Sequence, residues 1–225
     1  MAVALGIHPR HASRSTRTIN EWLERLERLL RSERVVADGE IGVDHSEPPQ
    51  NWHLQMDLLR LTIPLVKGNH VLVLHCRGMK DDCGTEAFML LLNLLKRLPV
   101  TQKIHLHCFT GNAYVLSRWL ERFPDTWFGF TNKVATFDNL QQEALTSVPE
   151  SRLLLESYAP YFPLRGNKWS APNQIYEAAA RVAECRQVPV HPSCRRRRIM
   201  PNAYAGWESR YLLGLIGTSK LLTKR

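Results

Sequence analysis

The stretch Ile104-His105-Leu106-His107-Cys108-Phe109-Thr110-Gly111 decides how the chain is read. Its apolar start marks a short buried strand, and its end marks a turn that opens a helix. A histidine at the carboxyl end of a strand in a β/α protein points to where such folds place their chemistry. Val71-Leu72-Val73-Leu74-His75-Cys76-Arg77 has the same form, as does Val35-Val36-Ala37-Asp38-Gly39-Glu40-Ile41-Gly42. Each run delivers one metal-capable side chain: His107, His75 and Glu40. Three such deliveries in one chain predict a common site.

Helical patterns separate these runs. Ile19, Trp22, Leu23, Leu26, Leu29 and Leu30 recur at one-face spacing, with Thr18 and Glu21 read as a capping box. Further helices are expected over 52–66, where Pro64 kinks or ends the last turns, and over 86–97, 137–148 and 173–185. Another, using Leu116, Trp119 and Phe123, follows the opening stretch. Strands are expected at 2–5, 35–38, 71–75, 104–107, 127–130 and 152–155. Strands alternating with helices predict an α/β fold of the TIM-barrel (β/α) type. A closed barrel has eight strands, so about six of eight β/α units are present and the barrel reads as incomplete. Strands 2–5 and 152–155 become open edges, which invite a dimer, aggregation or closure by the C-terminal segment. Residues 1–190 form the barrel domain. Residues 191–225 lack periodicity and form a divergent, basic C-terminal segment containing Arg195-Arg196-Arg197-Arg198.

Composition bounds the function. At 225 residues, 44% hydrophobic and 8% aromatic, the chain can bury a sizeable core. Thirty Lys+Arg against 21 Asp+Glu give a net charge of +9. This bias favours a polyanionic partner such as nucleic acid. Without the four clustered arginines the balance is still +5. The five cysteines are odd in number and lack a C-x-x-C spacing, which argues for reduced thiols in a cytoplasmic or nuclear protein. No apolar run approaches 18 residues, and the N-terminus lacks the charged start and long apolar core of a signal peptide, so no membrane partner is expected.

Imidazole nitrogen and carboxylate oxygen together suit zinc, manganese or iron, and a carboxylate-rich site suits magnesium. Glu40, His75 and His107 can hold one ion and would hold a pair poorly. Arg77 can bind a phosphate oxygen bidentately, or it can be a solvated surface residue. Asp44 can orient a ligand or cap its turn. His8, held out of helical geometry by Pro9, can contact substrate or satisfy a loop carbonyl. His105 reads as a buried, sheet-facing histidine rather than a ligand.

The motifs Gly6-Ile7-His8-Pro9, Gly39-Glu40-Ile41-Gly42-Val43-Asp44, Leu74-His75-Cys76-Arg77, His107-Cys108-Phe109-Thr110-Gly111 and Leu155-Glu156-Ser157-Tyr158-Ala159-Pro160-Tyr161 occur in this order. In that order they resemble the TatD-type metal-dependent deoxyribonucleases, most closely their animal branch, over about residues 2–185. The resemblance implies a divalent-metal-dependent nuclease that hydrolyses phosphodiester bonds of DNA, or RNA, with a metal-activated water. The metal it implies is magnesium, with manganese or zinc as alternatives. It places Glu40, His75 and His107 as metal ligands, and Arg77 and Asp44 in the site around them. Two departures stand out. The family's first-strand His-x-His pair has no counterpart here, so the chain reads as N-terminally truncated by two strands. Tyr158 stands where the family has a metal-ligating aspartate, and a neutral phenol is no simple replacement. The alternative is therefore an impaired or inactive remnant that binds nucleic acid or a protein partner. An ester or other amidohydrolase-type substrate is a third reading.

Overall fold

The computed structural model describes residues 3–79, 82–161, 163, 166 and 168–189. The segment expected to be divergent, 191–225, lies outside them. Among the described residues six parallel strands form one sheet in sequence order: β1 (Val3–Leu5), β2 (Val35–Asp44), β3 (Val71–Arg77), β4 (Ile104–His107), β5 (Thr126–Phe130) and β6 (Leu153–Leu155). The intervening and following helices are α1 (Thr16–Leu29), α2 (Trp52–Thr62), α3 (Thr85–Leu95), α4 (Ala113–Arg122), α5 (Asn139–Ser147) and α6 (Ile175–Cys185). A parallel sheet with helical crossovers needs strands apolar on both faces. β3 meets this demand, with Val71 to Cys76 all buried. Among the described residues β1 and β6 are the sheet edges.

Local chemistry sets the element ends. Helix α1 starts two residues before the expected box: the Ser15 hydroxyl accepts the Thr18 N–H at 3.3 Å, so Ser15 is the cap. Glu21 faces Arg17 instead, at 2.9 Å. Helix α2 stops at Thr62, and Pro64 sits in a short 3-10 turn after it. Asp138 and Gln141 form a full capping box on α5.

The largest correction concerns β2. The expected strand ended at residue 38, because Gly39 and Gly42 look like turn residues. The strand continues to Asp44, and its pairing with β3 shifts register between Asp38 and Ile41. Glu40 lies in this irregularity, which re-aims its side chain as bulges do. Gly39 has φ 155°, and a Cβ there would lie 2.3 Å from the Val73 carbonyl oxygen. Only glycine lets the two backbones approach so closely.

The main core lies between sheet and helices, around Trp119, Phe88, Phe109, Phe123 and Phe128. Phe109 follows β4 directly. Its ring packs against Phe88 at 5.1 Å and Phe128 at 4.9 Å, and its N–H donates to the Gly129 carbonyl at 2.8 Å. The loop after His107 is thereby nailed to the core. Phe109→Ala is expected to destabilise the chain by about 3–5 kcal/mol in urea denaturation. Leu61→Ala, at a side chain 51% exposed, is expected to stay within about 0.5 kcal/mol. Equal effects of the two variants would contradict this account of the loop.

Candidate metal centre

Strand pairing brings the site together. His75 on β3 and His107 on β4 occupy paired positions, and Gly42 of β2 pairs with His75. Both histidines therefore stand side by side at the carboxyl ends of their strands, with Glu40 beside them. Glu40 Oε2 lies 3.4 Å from His75 Nδ1, and Oε1 lies 3.5 Å from His107 Nε2. The third neighbour is His8, whose Nε2 is 3.6 Å from Glu40 Oε2. Its ring is tilted on His75 at 4.4 Å.

The far nitrogen of each strand histidine meets a buried carboxylate. His75 Nε2 is 3.2 Å from Asp44 Oδ2, and His107 Nδ1 is 3.0 Å from Glu156 Oε1. A carboxylate accepts, so it holds the ring proton on its own side and leaves the opposite nitrogen facing Glu40. Such carboxylate–histidine pairs are the usual support behind metal-ligating imidazoles. His8 differs. Its Nδ1 accepts the Arg10 N–H at 3.2 Å, which places the neutral ring's proton on Nε2. His8 therefore presents a donor to the cleft, whereas His75 and His107 turn toward Glu40 the nitrogens that their supporting carboxylates leave free. Burial first, and then the neighbouring His75, lower its pKa to about 3, so it stays neutral.

Asp44 does not face the cleft. It is fully buried behind His75, held by the Ser46 N–H at 3.1 Å and by Arg10 Nε at 3.2 Å. Its own backbone N–H and carbonyl are taken by the Gln55 side chain at 2.7 and 2.9 Å. Arg77 pairs in register with Asp44, and its charge reaches Asp44, Lys133 and Tyr158. Tyr158 lies against the site, its ring 5.0 Å from that of His107. Burial pushes its phenol up to about 12, so it is neutral and offers no anionic ligand.

Glu156 escaped the reading as a site residue, and His105 was read only as a buried, sheet-facing histidine. Glu156 directly follows β6 and is buried. Besides His107, it accepts the Cys108 N–H at 3.0 Å and the Cys108 thiol at 3.4 Å. Cys108 has φ 49°, a strained left-handed conformation that these bonds hold in place. Burial raises its thiol to about 12, so it acts as a donor here. The second residue is His105, two residues before His107 and hence on the same face of the strand. It is buried as expected, but its Nε2 lies 2.6 Å from Glu156 Oε1, without hydrogen-bond alignment. Gly129 makes room for the pair: a Cβ there would fall 2.0 Å from Glu156 Oε1. The signal for Glu156 was present, since Leu153-Leu154-Leu155-Glu156 is another apolar run delivering one polar side chain.

The charges are interdependent. Burial would raise the Glu40 pKa, but His107, His75 and His8 outweigh it and bring it to about 2. Around His107, burial opposes the charge, yet the Glu156 and Glu40 carboxylates raise its proton affinity well above that of a free imidazole. Among the described residues the donor atoms that lie close enough together to hold one ion form two sets, His8, Glu40 and His75, and His105, His107 and Glu156, with Glu40 Oε1 reaching from the first set to His107 Nε2 of the second at 3.5 Å.

The fold and these donors are those of a parallel β/α protein with a candidate cation site at its strand ends. Comparison with known proteins agrees. Residues 1–195 match the family described as TatD related DNase, and the chain belongs to that family. It is 36% identical over 168 residues to the human 3'-5' RNA nuclease TATDN2, covering 71% of this chain and 20% of that protein. It is 32% identical over 184 residues to the 3'-5' ssDNA/RNA exonuclease TatD of Erwinia billingiae, covering 76% of this chain and 62% of that one. The chain thus spans under two thirds of either relative. The crystal structure of YJJV, a TATD homolog from Escherichia coli, superposes with a TM-score of 0.67 at 25% identity, covering 86% of this chain and 72% of that one. No helix among the described residues is long and apolar enough to cross a membrane.

The depressed Glu40 pKa has a defined sign. Its ionised form stabilises the fold fully above the ordinary pKa of 4.5, and that contribution is lost as pH falls through about 2. In chelator, stability is expected to fall between about pH 5 and pH 2, less steeply in Glu40→Gln. Parallel pH profiles for the two proteins, read by denaturant titration, would contradict the electrostatic account of this cluster.

Proposed function

We propose that the chain is a divalent-metal-dependent nuclease that hydrolyses phosphodiester bonds of DNA or RNA. The observation that supports this most is the shared orientation of His75 and His107. Each is held by a carboxylate at one nitrogen and turned toward Glu40 with the other. Glu40, His75 and His107 would hold the ion. Magnesium is the family expectation, while the imidazole pair suits manganese or zinc. A bound divalent cation polarises a phosphoryl oxygen and lowers the pKa of water at the site.

The protein's own groups supply the rest. His8 donates from Nε2 toward the cleft, at the place where a substrate oxygen would arrive. Arg77 offers its planar fork to a phosphate. Asp44 and Glu156 act through the histidines by fixing ring orientation. Holding an ion at His107 Nε2 would release any proton on that nitrogen to solvent, while Glu156 keeps the one on Nδ1.

A second reading rests on Tyr158. A neutral ring packed on His107 fills a position that carries a carboxylate in the resembling family. The chain would then bind nucleic acid or a protein partner with weak or no hydrolysis. Cleavage of end-labelled single-stranded DNA and RNA with magnesium or manganese separates the two. The nuclease reading expects cleavage that falls more than about 100-fold in His107→Ala and Glu40→Gln, and about 10–100-fold in Asp44→Asn and Glu156→Gln. It also expects Tyr158→Asp to raise cleavage and tighten metal binding. Activity in His107→Ala equal to that of the native chain would overturn it.

We also propose self-association through the sheet edges β1 and β6, whose backbone groups can pair with a second copy. Sedimentation velocity should show concentration-dependent dimers or larger species. A strictly monomeric boundary at all concentrations would refute this.

A further inference from the structure

We propose that Tyr158, Tyr161 and Trp169 form a base-stacking track that leads single-stranded nucleic acid into the cleft, the bases nearest the cut resting on Tyr161 and Trp169. This rests on reading the cleft as a nucleic-acid site, and it adds how a strand would be recognised there.

The track begins on the metal centre and runs outward. The Tyr158 ring is 5.0 Å from His107 and 5.4 Å from Tyr161. Tyr158 adopts φ 52°, and the Tyr161 N–H donates to its carbonyl at 2.8 Å. This tight turn brings the two phenols together. Two further bonds hold the backbone next to Trp169 against this turn. Ser170 N–H donates to the Pro160 carbonyl at 3.0 Å, and its hydroxyl donates to the Ser157 carbonyl at 3.2 Å. Ser170 is buried, so its neighbour Trp169 is anchored next to the Pro160-Tyr161 backbone.

Position beside the cleft, rather than exposure alone, sets the outer two rings apart, since Tyr114 is 56% exposed as well. Tyr161 is 51% and Trp169 60% exposed, while Trp119 and the largest phenylalanines are fully buried. A single exposed aromatic needs no explanation. Tyr161 continues from a ring lying on a proposed ligand, and Trp169 is exposed on the backbone bonded beside it. Lys168 Nζ stands 5.7 Å over the Trp169 ring, and the Arg77 charge reaches Tyr158. Aromatic faces interleaved with cations, on a chain of net charge +9, suit unpaired bases and their phosphates. A duplex keeps its bases stacked on each other and cannot use them here. The ring at position 158, which offers no anionic ligand, thus serves the strand's bases.

The test is binding without hydrolysis. Fluorescence anisotropy in chelator compares an end-labelled dT decamer with an abasic decamer of equal length. The native chain should bind the dT decamer at least about tenfold tighter. Tyr161→Ala and Trp169→Ala should each weaken dT binding by about five- to a hundredfold while leaving the abasic affinity unchanged, and Trp169→Phe should recover most of the loss. Equal affinity of the native chain for both decamers, or native dT affinity in both alanine variants, would overturn the track. Cleavage with metal added is scored separately. Base-dependent binding without cleavage would sink the nuclease reading alone, and cleavage with base-independent binding would sink the track alone.

Discussion

Everything at the cleft depends on two buried carboxylates that each hold an imidazole from behind. Asp44 takes His75 at Nε2, and Glu156 takes His107 at Nδ1. Opposite nitrogens are used, yet both rings end up addressing Glu40. A free histidine at a strand end could rotate or take either tautomer. Here neither ring can turn without leaving a buried carboxylate short of its donor, which is expensive in a low-dielectric interior. The support reaches outward from each carboxylate. Asp44 is tied to Ser46 and Arg10 through its side chain and to Gln55 through its backbone, while Glu156 is tied to Cys108 and to the space left by Gly129. The site's geometry is thus a property of β2, β3, β4, β5 and β6 together.

The sheet and the strand-end histidines were legible in the sequence. Short apolar runs ending in His75 and His107 read as buried strands whose shared form pointed to one site, and the structure sets the two histidines side by side in register. What was not legible follows from physics beyond local pattern. Gly39 and Gly42 carry a turn signal, yet here they serve close backbone approach inside a strand, so β2 read six residues short. Ser15 outcompeted Thr18 as a cap because it sits one residue before the first helical residue. Glu156 lies 49 residues from His107, and a long-range partner of that kind leaves no periodic trace. The parity of His105 and His107 could have put both on one face, but their convergence on Glu156 needed the β5–β6 pairing.

Tyr158 ties the two proposals together. As a neutral ring on His107 it limits the anionic charge available to a cation, and as the inner step of an exposed aromatic run it offers a surface to a base. The proposed site therefore combines few ligands, well held, with an approach built for an unpaired strand.

Manganese binding tests the central claim most directly. The chain, freed of metal by chelation and dialysis, is titrated with Mn2+ and followed by the EPR signal of the free ion. The account predicts saturation at one ion per chain, with that site lost in Glu40→Ala and weakened about 10–100-fold in the double variant Asp44→Asn/Glu156→Gln. Identical binding curves for the native chain and Glu40→Ala would contradict it.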